Sequence, residues 1–283
     1  MDLYLEGAIA IVTGAANGIG LAESRALIGH GARVVMNDVD PAVVSVAAGV
    51  GGARGAVAHV GDISDWSTAD ELVALAVSTF GALDIVVNNA GISRDRTVVN
   101  LEREDWDRIL AVNLGAHVAM CRAAARHWRA AGPPVRQRRI INTTSMAGLS
   151  AAPGLAAYAC SKSGVATLTM VLAKELAASG VTCNAIAPRA ETALLRRLQG
   201  QRAVFDEAEV ARWTVDSVAA LVAYLASHRA GAMTGEVLYV GGDELRSMKP
   251  WSDGESTRIG ERWTLEEIHT AVCRLIGDEP GAR

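Results

Sequence analysis

Tyr158 and Lys162 stand four residues apart in a stretch that reads as a helix, so both side chains lie on one face. A cation beside a phenol favours the phenolate and draws its pKa below the free value of about 10. Such a tyrosine can exchange a proton with a carbinol or carbonyl oxygen near neutral pH. Ser145 follows an apolar run and offers a hydroxyl to the same oxygen. A Tyr-x-x-x-Lys spacing also arises by chance in many helices, so the pair takes its meaning from its surroundings.

Those surroundings point to a dinucleotide. Thr13-Gly14-Ala15-Ala16-Asn17-Gly18-Ile19-Gly20 joins an apolar strand to a helix. Its glycines permit a tight turn, bring backbone N–H groups to a pyrophosphate and aim a helix N-terminus at that anion. A tight turn without a ligand is the plain alternative, and the strand–turn–helix context weighs against it. Asp38 ends the second strand, where an acid accepts hydrogen bonds from both ribose hydroxyls and repels a 2′-phosphate. No arginine or lysine lies in the turn or directly after Asp38, so NAD is expected rather than NADP. Asp62, in Gly61-Asp62-Ile63, fits two roles, acceptor for the adenine amino group or cap of the next helix. Asn88-Asn89-Ala90-Gly91 ends the fourth strand, where the amides can tie strands together and hold the backbone beside a cofactor.

Along the chain, short apolar runs alternate with amphipathic stretches. Strands are expected at residues 8–12, 33–37, 55–59, 83–87, 139–143, 181–187 and 236–240. Helices are expected at residues 19–30, 41–48, 67–80, 104–131, 155–179 and 216–227. Gly31 closes the first helix, and Asp40 with Pro41 opens the second. Strands apolar on both faces, with helices between them, imply a doubly wound α/β fold of the Rossmann type, a parallel seven-stranded sheet covered on both sides. Residues 1–242 are expected to form this domain and residues 243–283 an extension with one helix at 265–276. Thr264 and Glu267 match a capping box there. Its apolar stripe, Leu265, Ile268, Val272, Leu275 and Ile276, packs either on its own domain or over a partner subunit or the substrate pocket.

Composition narrows the class. The 283 residues are half hydrophobic and carry a net charge of −4, against nucleic-acid binding. The basic run Arg136-Gln137-Arg138-Arg139 reads as a solvated loop, with an anion patch as the lesser alternative. Cys121, Cys160, Cys183 and Cys273 are far apart, which argues against a spaced metal site or disulfide framework, and three of them read as buried thiols. The first residues lack a signal-peptide pattern, and no apolar run reaches the roughly 20 residues of a membrane span. The expected setting is soluble, reducing and cytoplasmic, with no metal.

Taken in order, these motifs resemble the short-chain dehydrogenase/reductase family over residues 5–242. The resemblance rests on the Thr13–Gly20 turn, Asp62, Asn88–Gly91, Asn113, Ser145, Tyr158-Ala159-Cys160-Ser161-Lys162 and Asn184-Ala185-Ile186-Ala187-Pro188. It implies that Tyr158 is the acid/base, that Lys162 also binds the nicotinamide ribose, that Ser145 orients substrate and that Asn113 supports a water relay. Thr192 matches the threonine that holds the nicotinamide carboxamide. The implied cofactor contacts are Gly14, Asn17, Gly18, Ile19, Gly20, Asp38, Asp62, Ile63, Asn89, Ala90, Gly91, Tyr158, Lys162, Pro188 and Thr192. Val35-Met36-Asn37-Asp38, Ala187-Pro188-Arg189-Ala190 and Arg262-Trp263-Thr264 further resemble the hydroxyacyl-CoA and hydroxysteroid dehydrogenase subgroup.

The resemblance implies NAD-dependent interconversion of a secondary alcohol and a ketone, on a 3-hydroxyacyl-CoA or steroid-like substrate. An NADPH-dependent 3-oxoacyl reductase is the alternative. A non-catalytic NAD-binding subunit would have lost the tyrosine, lysine or serine, and none is lost. Relatives pair through the two long helices, so a homodimer or homotetramer is expected. Arg189, where many relatives have glycine, and Glu191 before Thr192 depart from the pattern, and the segment to Arg212 is short for a substrate lid.

Overall fold

The computed structural model describes residues 4–190, 213–249, 255–258 and 263–276. Its strands are β1 (Ile9–Thr13), β2 (Arg33–Asp38), β3 (Ala56–Val60), β4 (Ile85–Asn88), β5 (Arg138–Thr143), β6 (Val181–Arg189), β7 (Val237–Gly241) and β8 (Glu244–Met248). Its helices are α1 (Gly18–Gly29), α2 (Val43–Gly55), α3 (Trp66–Phe80), α4 (Arg103–Leu110), α5 (Ala116–Ala131), α6 (Met146–Ser150), α7 (Ala156–Glu175), α8 (Val215–Ala226) and α9 (Leu265–Ile276). The strands form one sheet in the order β3-β2-β1-β4-β5-β6-β7-β8. All neighbours pair in parallel except β7 and β8, which are antiparallel.

Every residue of β1 is buried because the strand is apolar on both faces. Ala10 and Val12 enter one core with Val34, Met36, Ile186, Leu27, Val218 and Val222. Ile9 and Ile11 enter the other with Val35, Val86, Ile140, Leu72, Met120 and Trp128. The two cores cover opposite faces of the sheet, as expected of strands separated by helices. The chain reverses its winding between β1 and β4, and the crevice at that switch point, outside the carboxyl ends of the strands, is where such a sheet binds ligands.

The structure departs from the expectations at several points. The sheet has eight strands rather than seven, because β8 returns antiparallel along β7. Four of the five β8 residues are exposed, so no apolar run marked this edge strand in the sequence. Contacts divide the chain into a unit of Met1–Met248 and a second of Lys249–Arg283. The helix expected at 104–131 is instead α4, a π-helical segment over Ala111–Gly115, and α5. The run at 136–139 is not all solvated loop, since Arg138 and Arg139 lie buried in β5. The two terminal nitrogens of Arg139 donate there to Thr182 Oγ1, the Gly231 and Ser227 carbonyls and Gln137, while the Arg139 Nε has no hydrogen-bond partner. Finally, two cysteines rather than three are buried, Cys121 and Cys183; Cys160 is exposed on α7 and Cys273 is half-buried.

The capping box of the last helix is formed as expected, whereas α2 begins at Val43 rather than at Pro41, so Asp40 is not its N-cap residue. Asp65 accepts from the Ser67 N–H at 3.0 Å and opens α3. Asp40 accepts from the Ala42 N–H at 2.9 Å ahead of α2. Within the second unit, Thr264 and Glu267 form the reciprocal capping box of α9, with the Thr264 N–H donating to Glu267 Oε2 at 2.8 Å and the Glu267 N–H to Thr264 Oγ1 at 3.3 Å. Among the described residues, no helix is long and apolar enough to cross a membrane.

Candidate active site

The glycine-rich turn is built by contact rather than by flexibility alone. A Cβ on Gly20 would collide with the Gly14 carbonyl oxygen, so only glycine lets α1 start this close to β1. Gly18 is different: its backbone is left-handed (φ 55°) and a Cβ there would meet nothing within 4 Å. That open side faces a cleft of about 620 Å³, lined by Gly14, Asn17, Gly18 and Ile19 at this end. The cleft is within the size range of cofactor sites. An exposed helix N-terminus with an uncovered glycine beside it fits a pyrophosphate.

Two loops are locked to this turn. Thr13 Oγ1 accepts from the Asn89 and Ala90 N–H groups, both at 3.1 Å, and Asn89 Nδ2 donates to the Thr13 carbonyl at 2.9 Å. Asn88 Nδ2 donates to Asn142 Oδ1 at 2.9 Å, tying β4 to β5. The adjacent asparagines therefore do the strand-tying their sequence suggested, and Asn89, Ala90 and Gly91 line the cleft. Thr13 is a further positioning residue whose hydroxyl role the motif alone did not reveal.

Beside the glycine turn, Asp38 lines the cleft and its carboxylate is anchored from two sides. Oδ2 accepts from the Ala16 N–H at 2.9 Å and Oδ1 from the Asp40 N–H at 3.0 Å. The acid thus braces the glycine turn while turning a negative charge to the cleft. Asp62 and Ile63 line the same end. Asp62 caps no helix, since Asp65 holds that role; its Oδ1 accepts from the Ser64 N–H and hydroxyl, at 2.9 and 2.7 Å. Its Oδ2 pairs with the Arg108 guanidinium at 2.8 Å. Burial pushes the Asp62 carboxyl up, and the Ser64 donors and Arg108 outweigh it, leaving the pKa below the ordinary value.

Tyr158 and Lys162 both sit on α7. Lys162 is buried, and its ammonium donates to the Thr143 carbonyl at the end of β5, at 2.7 Å. Thr144 Oγ1 in turn donates to the Lys162 carbonyl at 2.6 Å, so strand end and helix hold each other. Ser145 caps the short helix α6, its Oγ accepting from the Ala147 N–H at 3.2 Å, and it also bonds Tyr158. Tyr158, Lys162, Ser145 and Pro188 all line the cleft. The rim carries a strained residue, Ala151, with left-handed backbone (φ 56°) and no glycine to ease it.

The direction expected for the phenol is reversed. Burial raises the Tyr158 pKa above its ordinary value; the Ser145 bond offsets this in part and the Asp95 carboxylate adds to it. The Lys162 ammonium is bonded to the Thr143 carbonyl, and burial pushes its pKa down to about 7.

Asn113 and Gly20 do not line the cleft. Asn113 lies in the π-helical segment, fully buried, and braces the loop after β4: Oδ1 accepts from the Ile92 N–H at 2.8 Å and Nδ2 donates to the Ile92 carbonyl at 2.9 Å. Nδ2 also reaches Ser161 Oγ at 3.2 Å. Thr192 and Glu191 lie outside the described residues. Arg189 lines the cleft and stands over the Trp213 ring, 4.5 Å from its centroid. Arg108 also lines the cleft, and nothing in its sequence context pointed there. Among the described residues no group of three acidic, histidine or cysteine side chains could hold a metal.

Comparison with known proteins places this arrangement in a family. The short chain dehydrogenase family model matches residues 8–202. The chain is 42% identical to hydroxyacyl-CoA dehydrogenase ChsB1 of Mycobacterium tuberculosis, over 98% of this chain and 91% of that protein. It is 33% identical to 3-oxoacyl-[acyl-carrier-protein] reductase FabG of Vibrio cholerae, over 85% of this chain and 98% of that protein. A crystal structure of a short chain dehydrogenase from Mycobacterium avium superposes with a TM-score of 0.86 at 39% identity, covering 99% of this chain and 98% of that one.

Proposed function

The chain belongs to the short-chain dehydrogenase family, and on that premise we propose that it interconverts a secondary alcohol and a ketone with NAD, on a 3-hydroxyacyl-CoA or steroid-like substrate. The observation that carries this reading is one cleft that joins an open glycine turn and Asp38 at one end to Ser145, Tyr158 and Lys162 at the other. When bound, the nicotinamide accepts or supplies the hydride.

The protein's own residues do the rest. Ser145 and Tyr158 bond the substrate oxygen, and the Tyr158 hydroxyl gives or takes its proton. Lys162, anchored on Thr143, offers a donor for a ribose hydroxyl. Asp38 accepts from the adenosine ribose and disfavours a 2′-phosphate. Gly14, Asn17, Gly18, Ile19, Asn89, Ala90, Gly91 and Pro188 shape the binding surface, with Thr192 as the carboxamide contact implied by resemblance. Asn113 holds the loop that carries Gly91 and Ile92. Assembly into a homodimer or homotetramer through α5 and α7, in a cytoplasmic setting, belongs to the same reading.

Similarity to the ChsB1 hydroxyacyl-CoA dehydrogenase supports an acyl-CoA substrate, and similarity to FabG supports the second reading, an NADPH-dependent 3-oxoacyl reductase. Asp38 favours the first. The test is turnover of 3-hydroxyacyl-CoA, steroid and simple secondary alcohols with NAD and with NADP. NAD-linked oxidation of a 3-hydroxyacyl-CoA supports the proposal; activity confined to NADPH and 3-oxoacyl thioesters replaces it with the second reading.

A further inference from the structure

Arg108 reaches from α4 to the loop after β3 and closes a ring of hydrogen bonds there. One guanidinium nitrogen donates to Ser64 Oγ at 2.6 Å and another to Asp62 Oδ2 at 2.8 Å. Ser64 Oγ then donates to Asp62 Oδ1 at 2.7 Å, and the Ser64 N–H to the same oxygen at 2.9 Å. A carboxylate offers about four acceptor positions. Three are taken, two on Oδ1 and one on Oδ2, so the acceptor left over is on Oδ2 beside Arg108. Asp62 and Arg108 both line the cleft at the end where Asp38 stands.

We propose that Arg108 selects the base of the dinucleotide, by holding the Asp62 carboxylate charged and oriented so that its remaining acceptor meets an exocyclic amino group. This rests on reading the cleft as a nicotinamide dinucleotide site. Adenine carries such an amino group. Hypoxanthine carries a carbonyl oxygen in its place, which faces the carboxylate without a proton to share. The guanidinium fork suits the task, since two fixed donors set the plane of the loop as a single ammonium would not. Both side chains are about 40% exposed (45% for Arg108, 39% for Asp62), so the ion pair contributes little to folding and its removal is a clean test of binding.

The experiment measures dissociation constants of NADH, its hypoxanthine analogue and reduced nicotinamide mononucleotide. The proteins are the unaltered protein, Arg108→Ala, Asp62→Asn and the double variant. The unaltered protein should prefer NADH over the hypoxanthine analogue by roughly tenfold, the scale of a hydrogen bond to a charged group. In Arg108→Ala that preference should fall to about threefold or less, with the mononucleotide affinity unchanged. The double variant should show the same preference as Asp62→Asn alone, because Arg108 acts through Asp62. An undiminished preference in Arg108→Ala, or additive losses in the double variant, would overturn the proposal. Failure of the unaltered protein to bind NADH at all would instead overturn the dinucleotide reading beneath it.

Discussion

The Lys162 ammonium is held by the Thr143 carbonyl at 2.7 Å, so the end of β5 fixes the Lys162 side chain that comes from α7. Two residues later the same strand end delivers Ser145, which bonds Tyr158. One strand terminus therefore positions both Lys162 and Ser145. Burial holds the pKa of Lys162 near 7 and that of Tyr158 above its ordinary value. Both groups are thus penalised in their charged forms, and a proton at Tyr158 is handled in an environment that favours neutrality.

Cofactor choice should follow Asp38. In Asp38→Ala the adenosine ribose loses its charged acceptor and the 2′-phosphate its repulsion. The ratio of NADH to NADPH affinity should fall by about tenfold or more, the scale of one hydrogen bond to a charged group. The Ala16 N–H also loses its acceptor, so NADH binding itself should weaken. An unchanged ratio in paired titrations would remove Asp38 as the selector.

Stability should fall with rising pH because of Glu23. Its carboxyl on α1 is fully buried, neither oxygen has a hydrogen-bond partner, and burial raises its pKa from 4.5 to about 8. Between those values the unfolded chain has lost the proton and the folded chain keeps it. The contribution of this group is therefore full below about pH 4.5 and declines up to about pH 8, by at most about 1.4 kcal/mol per pH unit. Denaturant unfolding across this range should show a shallower decline in Glu23→Gln. Identical slopes in the two proteins would show that Glu23 is not the titrating group.

Asn113 should matter to stability as well as to turnover. Its amide satisfies both backbone groups of Ile92, so Asn113→Ala leaves two partly buried groups unpaired. The expected loss is about 1–3 kcal/mol, read from chemical denaturation. Turnover should fall too, because the same loop carries Gly91 beside Lys162. Full stability in Asn113→Ala would contradict the bracing role.

The sequence displayed some of this architecture and concealed the rest for physical reasons. Buried parallel strands advertise themselves as apolar runs, and β1, β2 and β4 were visible on that basis. The glycine turn, Asp38, Ser145, Tyr158 and Lys162 were visible because each has a residue type tied to one chemical task. β8 was hidden because an edge strand with four exposed residues has no apolar signature. The π-helical segment at Ala111–Gly115 was hidden because helical periodicity runs through it, with no proline to mark a break. Arg139 was misread as solvated because its burial depends on carbonyls at Ser227 and Gly231, far away in the chain. Arg108 was missed for the same reason: its meaning comes from Asp62 and Ser64, which only the fold brings to it.

On the proposed function, Tyr158 moves the proton while a nicotinamide dinucleotide lies in the same cleft. The most direct measurement is NAD reduction with a 3-hydroxyacyl-CoA by the unaltered protein and by Tyr158→Phe, with NADH affinity measured alongside. The variant should bind NADH with unchanged affinity and lose turnover by roughly 10²–10⁴-fold or more, the contribution of a positioned general acid–base. Turnover equal to that of the unaltered protein would contradict the account.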